Sequence, residues 1–180
     1  QTLFTEADCG LPKAQIAAQT CMTRNGHIEA VAWTSPLTPE NADALVTQAD
    51  LVLDCADSYA VSYVLSDTCA ARQKPLFSAS ALGFGGYAGG FCGTAPSLRA
   101  VFPEAPRNTA SCATAGVMGP VVAMLGAAQA QMALSHLLSL TPAALGQMLQ
   151  VDMRHFRLSG FRFDEAAEPV QSFAFIARSQ

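Results

Sequence analysis

Apolar residues in the first part of the chain recur with the spacings typical of helices and strands. Residues 11–25 carry apolar side chains at helical spacing after a proline, and residues 27–34 have the alternation of a strand. Residues 38–49 open with a Thr-Pro pair, which suits a helix start, and residues 50–57 are a short apolar run that ends in acidic residues. The pattern predicts two consecutive helix–strand pairs.

The pattern continues once more and then changes. Residues 58–73 predict a third helix and residues 74–81 a third, buried strand, so three strands alternate with helices as in a parallel sheet. Residues 82–96 are rich in glycine with aromatic residues between, which indicates twisted antiparallel strands or a bulged hairpin. Residues 155–163 and 172–179 predict two further strands joined by an acidic loop. The fold class is therefore α/β, with parallel strands continuing into antiparallel ones.

The longest stretch without a charged residue covers residues 108–151. Its length makes a membrane-spanning helix one alternative. Pro120 and Gly126 interrupt the stretch, and two glutamines and His136 add polar groups, so a buried or subunit-facing helix from about 117 to 140 fits better. We expect no membrane partner, and we interpret His136 as a packed core or interface residue.

Composition and charge limit the classes of function. The 180 residues are 51% apolar and 13% charged, enough to bury one core, and a net charge of -4 with scattered basic residues argues against a nucleic-acid partner. The cysteines form no CxxC pair and no Cys/His cluster with zinc spacing, which favours a reduced, cytoplasmic protein. The chain starts at Gln1 with no signal-like segment, and we expect it to be a piece of a longer protein.

Two carboxylates follow the second predicted strand. In an open α/β sheet, ligands gather outside the carboxyl ends of the strands, where Asp54 and Asp57 stand. One carboxylate can coordinate Mg²⁺ while its partner orients the turn or caps the next helix. The alternative is that both residues only cap the helix and keep it solvated.

Five segments occur in the order and at the approximate spacing of a known family: CGLPKAQIAA, ADLVLDCADSYAV, PLFSASALGFGGYAGGF, VFPEAP and SCATAGVMGPVVAMLGAAQAQMAL. On these residues the chain resembles the HesA/MoeB/ThiF family of E1-like adenylyltransferases. The resemblance covers residues 1–160 and implies a Rossmann-like, E1-type fold whose N-terminal part, with the glycine-rich nucleotide loop, is missing from this chain. Residues 161–180 would then be a C-terminal β extension or the start of a linker.

The resemblance also implies an activity for the full-length protein. It would use ATP to adenylate the C-terminal glycine of a ubiquitin-like sulfur carrier protein, of the ThiS or MoaD type, in thiamine or molybdopterin biosynthesis. The chain alone would bind ATP poorly and be inactive, and a homodimer is expected. The alternative is a catalytically degenerate E1-like module that binds the carrier or dimerises. A nicotinamide dehydrogenase is a weaker third hypothesis, because the chain lacks a GxGxxG fingerprint.

The resemblance implies roles for four residues. Lys13 resembles the lysine that contacts the ATP phosphates, and Asp57 resembles the Mg²⁺-binding catalytic aspartate. Gln1 corresponds to the last residue of an Arg-Gln element at the nucleotide site. Cys112 aligns with a cysteine that, in several relatives, takes part in sulfur transfer, although a lone cysteine can equally be structural. Cys112 should be more accessible than the cysteines at 55 and 69, whose segments are predicted to be core.

Several positions depart from the family pattern. Ser58 stands where relatives have asparagine, and Ser62 where they commonly have arginine, which makes adenylation by the complete protein less certain. Ser97 and Ala100 replace the cysteines of relatives that carry a structural zinc ion. We therefore predict no zinc site, and the expected cofactors are ATP and Mg²⁺.

Overall fold

The computed structural model describes residues 2–104 and 116–168. These residues divide between two units, Gln1–Leu37 and Thr38–Gln180, and each is described by itself. The first unit contains a short 3-10 helix and one α-helix. The second unit contains a five-stranded sheet and the remaining helices.

The first unit confirms one predicted element. The 3-10 helix, Glu6–Asp8, starts at Thr5, whose N–H and hydroxyl donate to Asp8 Oδ2 at 2.7 and 2.8 Å. Helix α1, Lys13–Arg24, begins directly after Pro12, as predicted for residues 11–25.

The strand predicted over residues 27–34 is wrong, because these residues are irregular in the structure. Val31 and Trp33, which should have faced a core, are 82% and 54% exposed. A segment becomes a strand only when a neighbour takes its backbone hydrogen bonds. No strand in the described part of the chain pairs with these residues.

The sheet of the second unit has the strand order β1-β2-β3-β4-β5. Its strands are β1 Val52–Asp54, β2 Pro75–Leu82, β3 Gly85–Cys92, β4 Gln147–Asp152 and β5 Arg157–Arg162. β1 and β2 are parallel, and every other neighbouring pair is antiparallel. The predicted change from parallel to antiparallel strands is confirmed, but the parallel part is one pair and not three strands. Five of the six residues of β4 lie inside the uncharged stretch, where no strand is predicted. Residues 172–179 lie outside the described residues.

The described residues of this unit form four helices: α2 Pro39–Thr47, α3 Tyr59–Ala71, α4 Leu98–Val101 and α5 Gly119–Leu137. α2 begins after Thr38, whose N–H donates to Asn41 Oδ1 at 2.9 Å, so the predicted Thr-Pro start is confirmed. α5 confirms the long helix predicted within residues 117–140. Among the described residues, no helix is both long and apolar enough to cross a membrane.

The sheet is covered on both faces. Leu76 of β2 belongs to a core cluster with Tyr63 of α3, whereas its neighbour Phe77 belongs to a cluster with Ala133 of α5. Consecutive strand residues point to opposite faces, so α3 and α5 lie on opposite sides of β2. Leu76 and Phe77 are both fully buried.

β3 is the middle strand, and four of its eight residues are glycine. A Cβ atom at Gly86 would lie 2.6 Å from Leu125 Cδ1, and one at Gly90 would lie 2.5 Å from the carbonyl oxygen of Ala144. Both distances are shorter than a Cβ atom can approach a carbon or an oxygen atom that is not bonded to it. The glycines therefore allow α5 and the segment before β4 to approach the sheet closely.

Candidate active site

The carboxyl end of β1 is fixed by the side chain of Asp54. Asp54 is 1% exposed. Its Oδ2 accepts a hydrogen bond from the Ser78 hydroxyl of β2 at 2.8 Å, and its Oδ1 accepts one from the Ala56 N–H at 3.1 Å. The second bond closes a turn of the kind that aspartate forms with the backbone two residues on. Asp54 thus orients the turn, one of the two roles expected for this pair of carboxylates.

The same strand end is held from the other side by Gln129 of α5, which is 3% exposed. Its Nε2 donates to the carbonyl oxygens of Asp54 and Phe77 at 2.8 and 2.7 Å. Its Oε1 accepts a hydrogen bond from the Cys55 thiol at 3.3 Å. One side chain of α5 therefore joins the two parallel strands.

Asp57 follows this turn and is exposed. It directly precedes Ser58, the N-cap residue of α3, whose side chain makes no capping hydrogen bond. No hydrogen bond or ion pair with another described residue occupies the Asp57 carboxylate. The carboxylate is therefore available to a ligand at the end of a parallel strand pair.

The carboxylate of Asp57 fits one kind of metal site. No group of three or more His, Cys, Asp or Glu residues in the described ranges could hold a metal ion. Mg²⁺ in nucleotide sites keeps several waters and takes one or two protein carboxylates together with substrate phosphates. A single exposed carboxylate suits Mg²⁺ that arrives with a phosphate ligand, and the absence of zinc stays a prediction.

The cysteines differ from one another in environment, and the five described ones are free. Cys69 is fully buried, as expected, whereas the expectation that Cys55 is core is wrong, since this residue is exposed. β1 ends at Asp54, so Cys55 already belongs to the turn that leaves the sheet. Its thiol is partly buried against Gln129, and this burial, followed by the charge of Asp54, raises the pKa of the thiol.

The other three predicted site residues are Lys13, Gln1 and Cys112. Lys13 is the exposed first residue of α1, with its Nζ 5.8 Å from the ring centroid of Phe4. Lys13 and Asp57 belong to different units. Gln1 and Cys112 lie outside the described residues.

Ser97, one of the positions of the missing zinc ligands, has a different partner. Its N–H and hydroxyl donate to the two carboxylate oxygens of Glu168 at 2.5 and 2.6 Å. The Ser97 hydroxyl also accepts a hydrogen bond from the Ala100 N–H, which caps α4. These bonds connect the start of α4 to the segment after β5.

An ion pair fixes α4 against α3. Arg99 donates to both carboxylate oxygens of Asp67 at 2.7 and 2.9 Å, and both side chains are largely buried. The guanidinium lies 4.2 Å from the ring centroid of Tyr63, whose hydroxyl donates to the carbonyl oxygen of Phe102 at 2.8 Å. The hydrogen bonds with Asp67 raise the pKa of Arg99. Residues 98–102 are thereby anchored to the sheet side of α3.

Two residues hold Asp54 in place, Ser78 and Gln129, and neither is predicted as a site residue from the sequence. Gln129 does leave a signal, because it is the amide in a row of buried residues spaced by four along α5: Val121, Leu125, Gln129 and Ala133. A polar residue inside an apolar helix face indicates a specific buried partner.

Comparison with known proteins gives the family. A family model described as "ThiF family" matches residues 1–171. The chain belongs to the ThiF family. This finding confirms the resemblance carried by the five sequence segments.

Two relatives of this ThiF-family chain have named activities. "Adenylyltransferase and sulfurtransferase MOCS3" of Bos taurus is 38% identical over 180 residues, a match that covers 93% of this chain and 38% of the relative. "Sulfur carrier protein ThiS adenylyltransferase" of Escherichia coli is 38% identical over 148 residues, covering 79% of this chain and 58% of the relative. The match thus covers about two fifths of the length of the first relative and about three fifths of the second.

Solved structures of the Escherichia coli enzyme MccB share the fold. The complex with MccA-N7isoASN superposes with a TM-score of 0.78 at 16% identity, covering 96% of this chain and 54% of MccB. The ATP complex superposes with a TM-score of 0.73 at 15% identity, covering 94% and 52%. The ThiF-family chain therefore has the E1-type α/β fold of MccB.

Proposed function

We propose that the complete protein containing this chain uses ATP to adenylate the C-terminal glycine of a ubiquitin-like sulfur carrier protein. The observation that carries the proposal is the exposed carboxylate of Asp57, which bonds to no described residue and follows a turn fixed by Asp54 at the end of β1. Membership of the ThiF family and relatives named as adenylyltransferases support the type of reaction.

The reaction joins a carboxylate to the α-phosphate of ATP. An oxygen of the carrier's C-terminal carboxylate attacks the α-phosphorus, the bond from that phosphorus to the β-phosphate bridge breaks, and pyrophosphate leaves with the electron pair. All reacting groups are negative, so positive charge around the phosphates supplies most of the catalysis. Mg²⁺ bound with ATP would neutralise phosphate charge, and Asp57 would hold it. Lys13 would bind the phosphates, and Gln1 would belong to the nucleotide site.

Cys112 would act after adenylation. We assign it to sulfur transfer: its thiolate attacks the carbonyl carbon of the acyl adenylate, a thioester forms and AMP leaves with the electron pair, because a thiol is a far better nucleophile than a hydroxyl at neutral pH. A hydrosulfide-level sulfur donor would then attack the thioester, release the Cys112 thiolate and leave the carrier thiocarboxylate. Adenylation itself needs no thiol. Exchange of pyrophosphate should therefore not depend on Cys112, whereas formation of the carrier thiocarboxylate should.

A second function is favoured by two serines. Ser58 makes no capping hydrogen bond, and Ser62 is buried in α3 where relatives commonly have arginine. A serine hydroxyl cannot replace the charge of a guanidinium near phosphates. The alternative is therefore an E1-like module that binds the carrier or dimerises without chemistry.

The protein would act as a homodimer in the cytoplasm. α5 buries one face in the core, but several of its other apolar side chains are exposed, including Val122, Leu134 and Leu137. A second copy packed on this face would remove them from water.

The five free cysteines in the described part suit a reducing compartment.

Exchange of labelled pyrophosphate into ATP separates the two functions. The complete protein should exchange pyrophosphate when Mg²⁺ and a ThiS- or MoaD-type carrier are both present. The same carrier without its last glycine is the matched control and should give no exchange. If the folded protein binds the carrier but exchanges no pyrophosphate with a ThiS-type or a MoaD-type carrier, the result would contradict adenylation and favour the binding module.

A further inference from the structure

A buried amide interrupts the apolar face of α5. Its neighbours at spacings of four residues, Leu125 and Ala133, are apolar and pack in the core. Burying an amide among such residues is unfavourable unless each polar atom finds a partner. Gln129 satisfies this condition, since both its amide nitrogen and its oxygen are hydrogen-bonded.

The partners of Gln129 all lie beside the carboxyl end of β1, close to Asp57 in the sequence or in the strand next to it. Phe77 of β2 pairs with Leu53 of β1 in the parallel ladder, so the two carbonyl oxygens that accept from Gln129 come from adjacent strands. The third partner is the Cys55 thiol, in the turn itself. The amide thus bonds to both residues that immediately precede Ala56.

The turn is held on two sides. Gln129 binds the Asp54 carbonyl and the Cys55 thiol from α5, while the Asp54 side chain binds Ser78 and the Ala56 N–H. Asp57 comes next in the chain, and its own carboxylate bonds to no described residue. Its place therefore depends on the backbone that these bonds fix.

We propose that Gln129 is a positioning residue for Asp57: its amide holds the turn after β1 so that the Asp57 carboxylate is in place for Mg²⁺ and ATP. The proposal rests on the proposed adenylation, because that reaction gives Asp57 its ligand. Gln129 itself does not touch the reacting atoms. A displacement of about 1 Å in a catalytic group can lower a rate a hundredfold, so a loosened turn should have a large effect.

Gln129→Met tests the proposal in the complete protein. Methionine keeps the length of the side chain, but it cannot donate hydrogen bonds to the two carbonyl oxygens, and its sulfur is a much weaker acceptor for the Cys55 thiol than an amide oxygen. The matched control is Gln131→Met on the same helix, since Gln131 is exposed and its one hydrogen bond to another described side chain is with the Ser135 hydroxyl. Gln129→Glu, which retains the acceptor for Cys55, is the second variant should the methionine variant fail to fold.

Amide hydrogen exchange provides a measurement that does not depend on activity. In Gln129→Met we expect the amide of Ala56, which donates to Asp54 Oδ1, to exchange at least about tenfold faster, with the amides of α3 and β3 unchanged. In Gln131→Met the same amides should exchange at the rates of the unaltered protein. Equal acceleration throughout the second unit would mean that Gln129 only stabilises the core, and would overturn the proposal.

Kinetics supplies the second measurement. In pyrophosphate exchange, Gln129→Met should lower kcat about 10- to 100-fold and raise the Mg²⁺ concentration for half-maximal rate, with KM for the carrier changed less than about twofold. An unchanged kcat would overturn the proposal even if the turn exchanges faster. If the unaltered protein gives no pyrophosphate exchange, adenylation fails, but the hydrogen-exchange result still decides whether Gln129 holds the turn of Asp57.

Discussion

The carboxylate of Asp54 accepts a hydrogen bond from the hydroxyl of Ser78 at 2.8 Å, and both residues are 1% exposed. Asp54→Ala removes the acceptor of this hydroxyl and of the Ala56 N–H. Leaving buried donors unpaired costs about 1–3 kcal/mol, so we expect urea unfolding to show a loss of that size. The double variant with Ser78→Ala should lose less than the sum of the single variants, because the unpaired hydroxyl is gone. Additive losses would mean that the two side chains do not interact.

Asp57→Ala should abolish adenylation and leave the fold intact. The carboxylate has no described partner, and substitution of an exposed residue usually changes stability by about 0.5 kcal/mol or less. We expect pyrophosphate exchange by the complete protein to fall more than about a hundredfold, since a metal-binding carboxylate is lost. Asp50→Ala, at another exposed aspartate, is the control and should keep full activity. Activity that persists at limiting Mg²⁺ would count against the role of Asp57.

A buried and an exposed arginine–aspartate pair of the second unit should differ in their contribution to stability. Arg99→Ala leaves the largely buried carboxylate of Asp67 without its partner, and we expect a loss of about 2–4 kcal/mol in urea unfolding. The exposed pair of Arg72 and Asp43 has equally short contacts, but solvent screens it, so Arg72→Ala should change little. Similar losses in both variants would show that burial does not set the strength of these pairs.

Two buried thiols should make the fold sensitive to alkaline pH. Burial raises the pKa of both Cys69 and Cys92 to about 12 from a usual value of 9.0. Above about pH 9 the unfolded chain therefore loses protons that the folded chain keeps, and stability falls by up to about 1.4 kcal/mol per pH unit for each thiol. Urea unfolding from about pH 8 to pH 10.5 should show this slope. Cys92→Ala should be less stable at neutral pH but have a shallower alkaline slope, and an unchanged slope would exclude Cys92 as a cause.

Leu134→Glu should separate the proposed homodimer. Leu134 is 53% exposed on α5, and a charge there would be buried without a partner in a dimer packed on this face. Sedimentation of the complete protein should show a dimer, with the glutamate variant shifted to monomer at micromolar concentration. Thr47→Glu, on the exposed part of α2, should leave the dimer unchanged. A monomer before any substitution would refute the interface.

The elements that were predicted correctly are those with local signals. The Thr38 cap with Pro39 specifies the start of α2, and the alternation in residues 155–163 specifies β5. The elements that were predicted wrongly or missed depend on contacts with residues far away in the sequence. Residues 27–34 have the composition of a strand, but no described strand pairs with them. β4 was not predicted, because its apolar residues Met148 and Val151 contact core residues from other segments of the chain.

The same distinction applies to the candidate site. Asp54 and Asp57 were found because a strand end and two carboxylates are adjacent in sequence. Which of them is buried could not be predicted, since that depends on Ser78 and Gln129, which follow 24 and 75 residues after Asp54. The prediction that Cys55 belongs to the core was wrong for a related reason, because β1 ends at Asp54 and Cys55 already belongs to the turn.

The glycines of β3 have a consequence for the order of folding. β3 follows β2 after the turn at Gly83 and Phe84, but it meets β4 only after residues 93–146. A β2–β3 hairpin would have few cross-strand side-chain contacts, because half of β3 carries no side chain, and such a hairpin is marginal in water. The middle strand, β3, therefore becomes stable late in folding, after β4 has paired with it and α5 has packed against it. Contacts between residues so far apart in the sequence make folding slow.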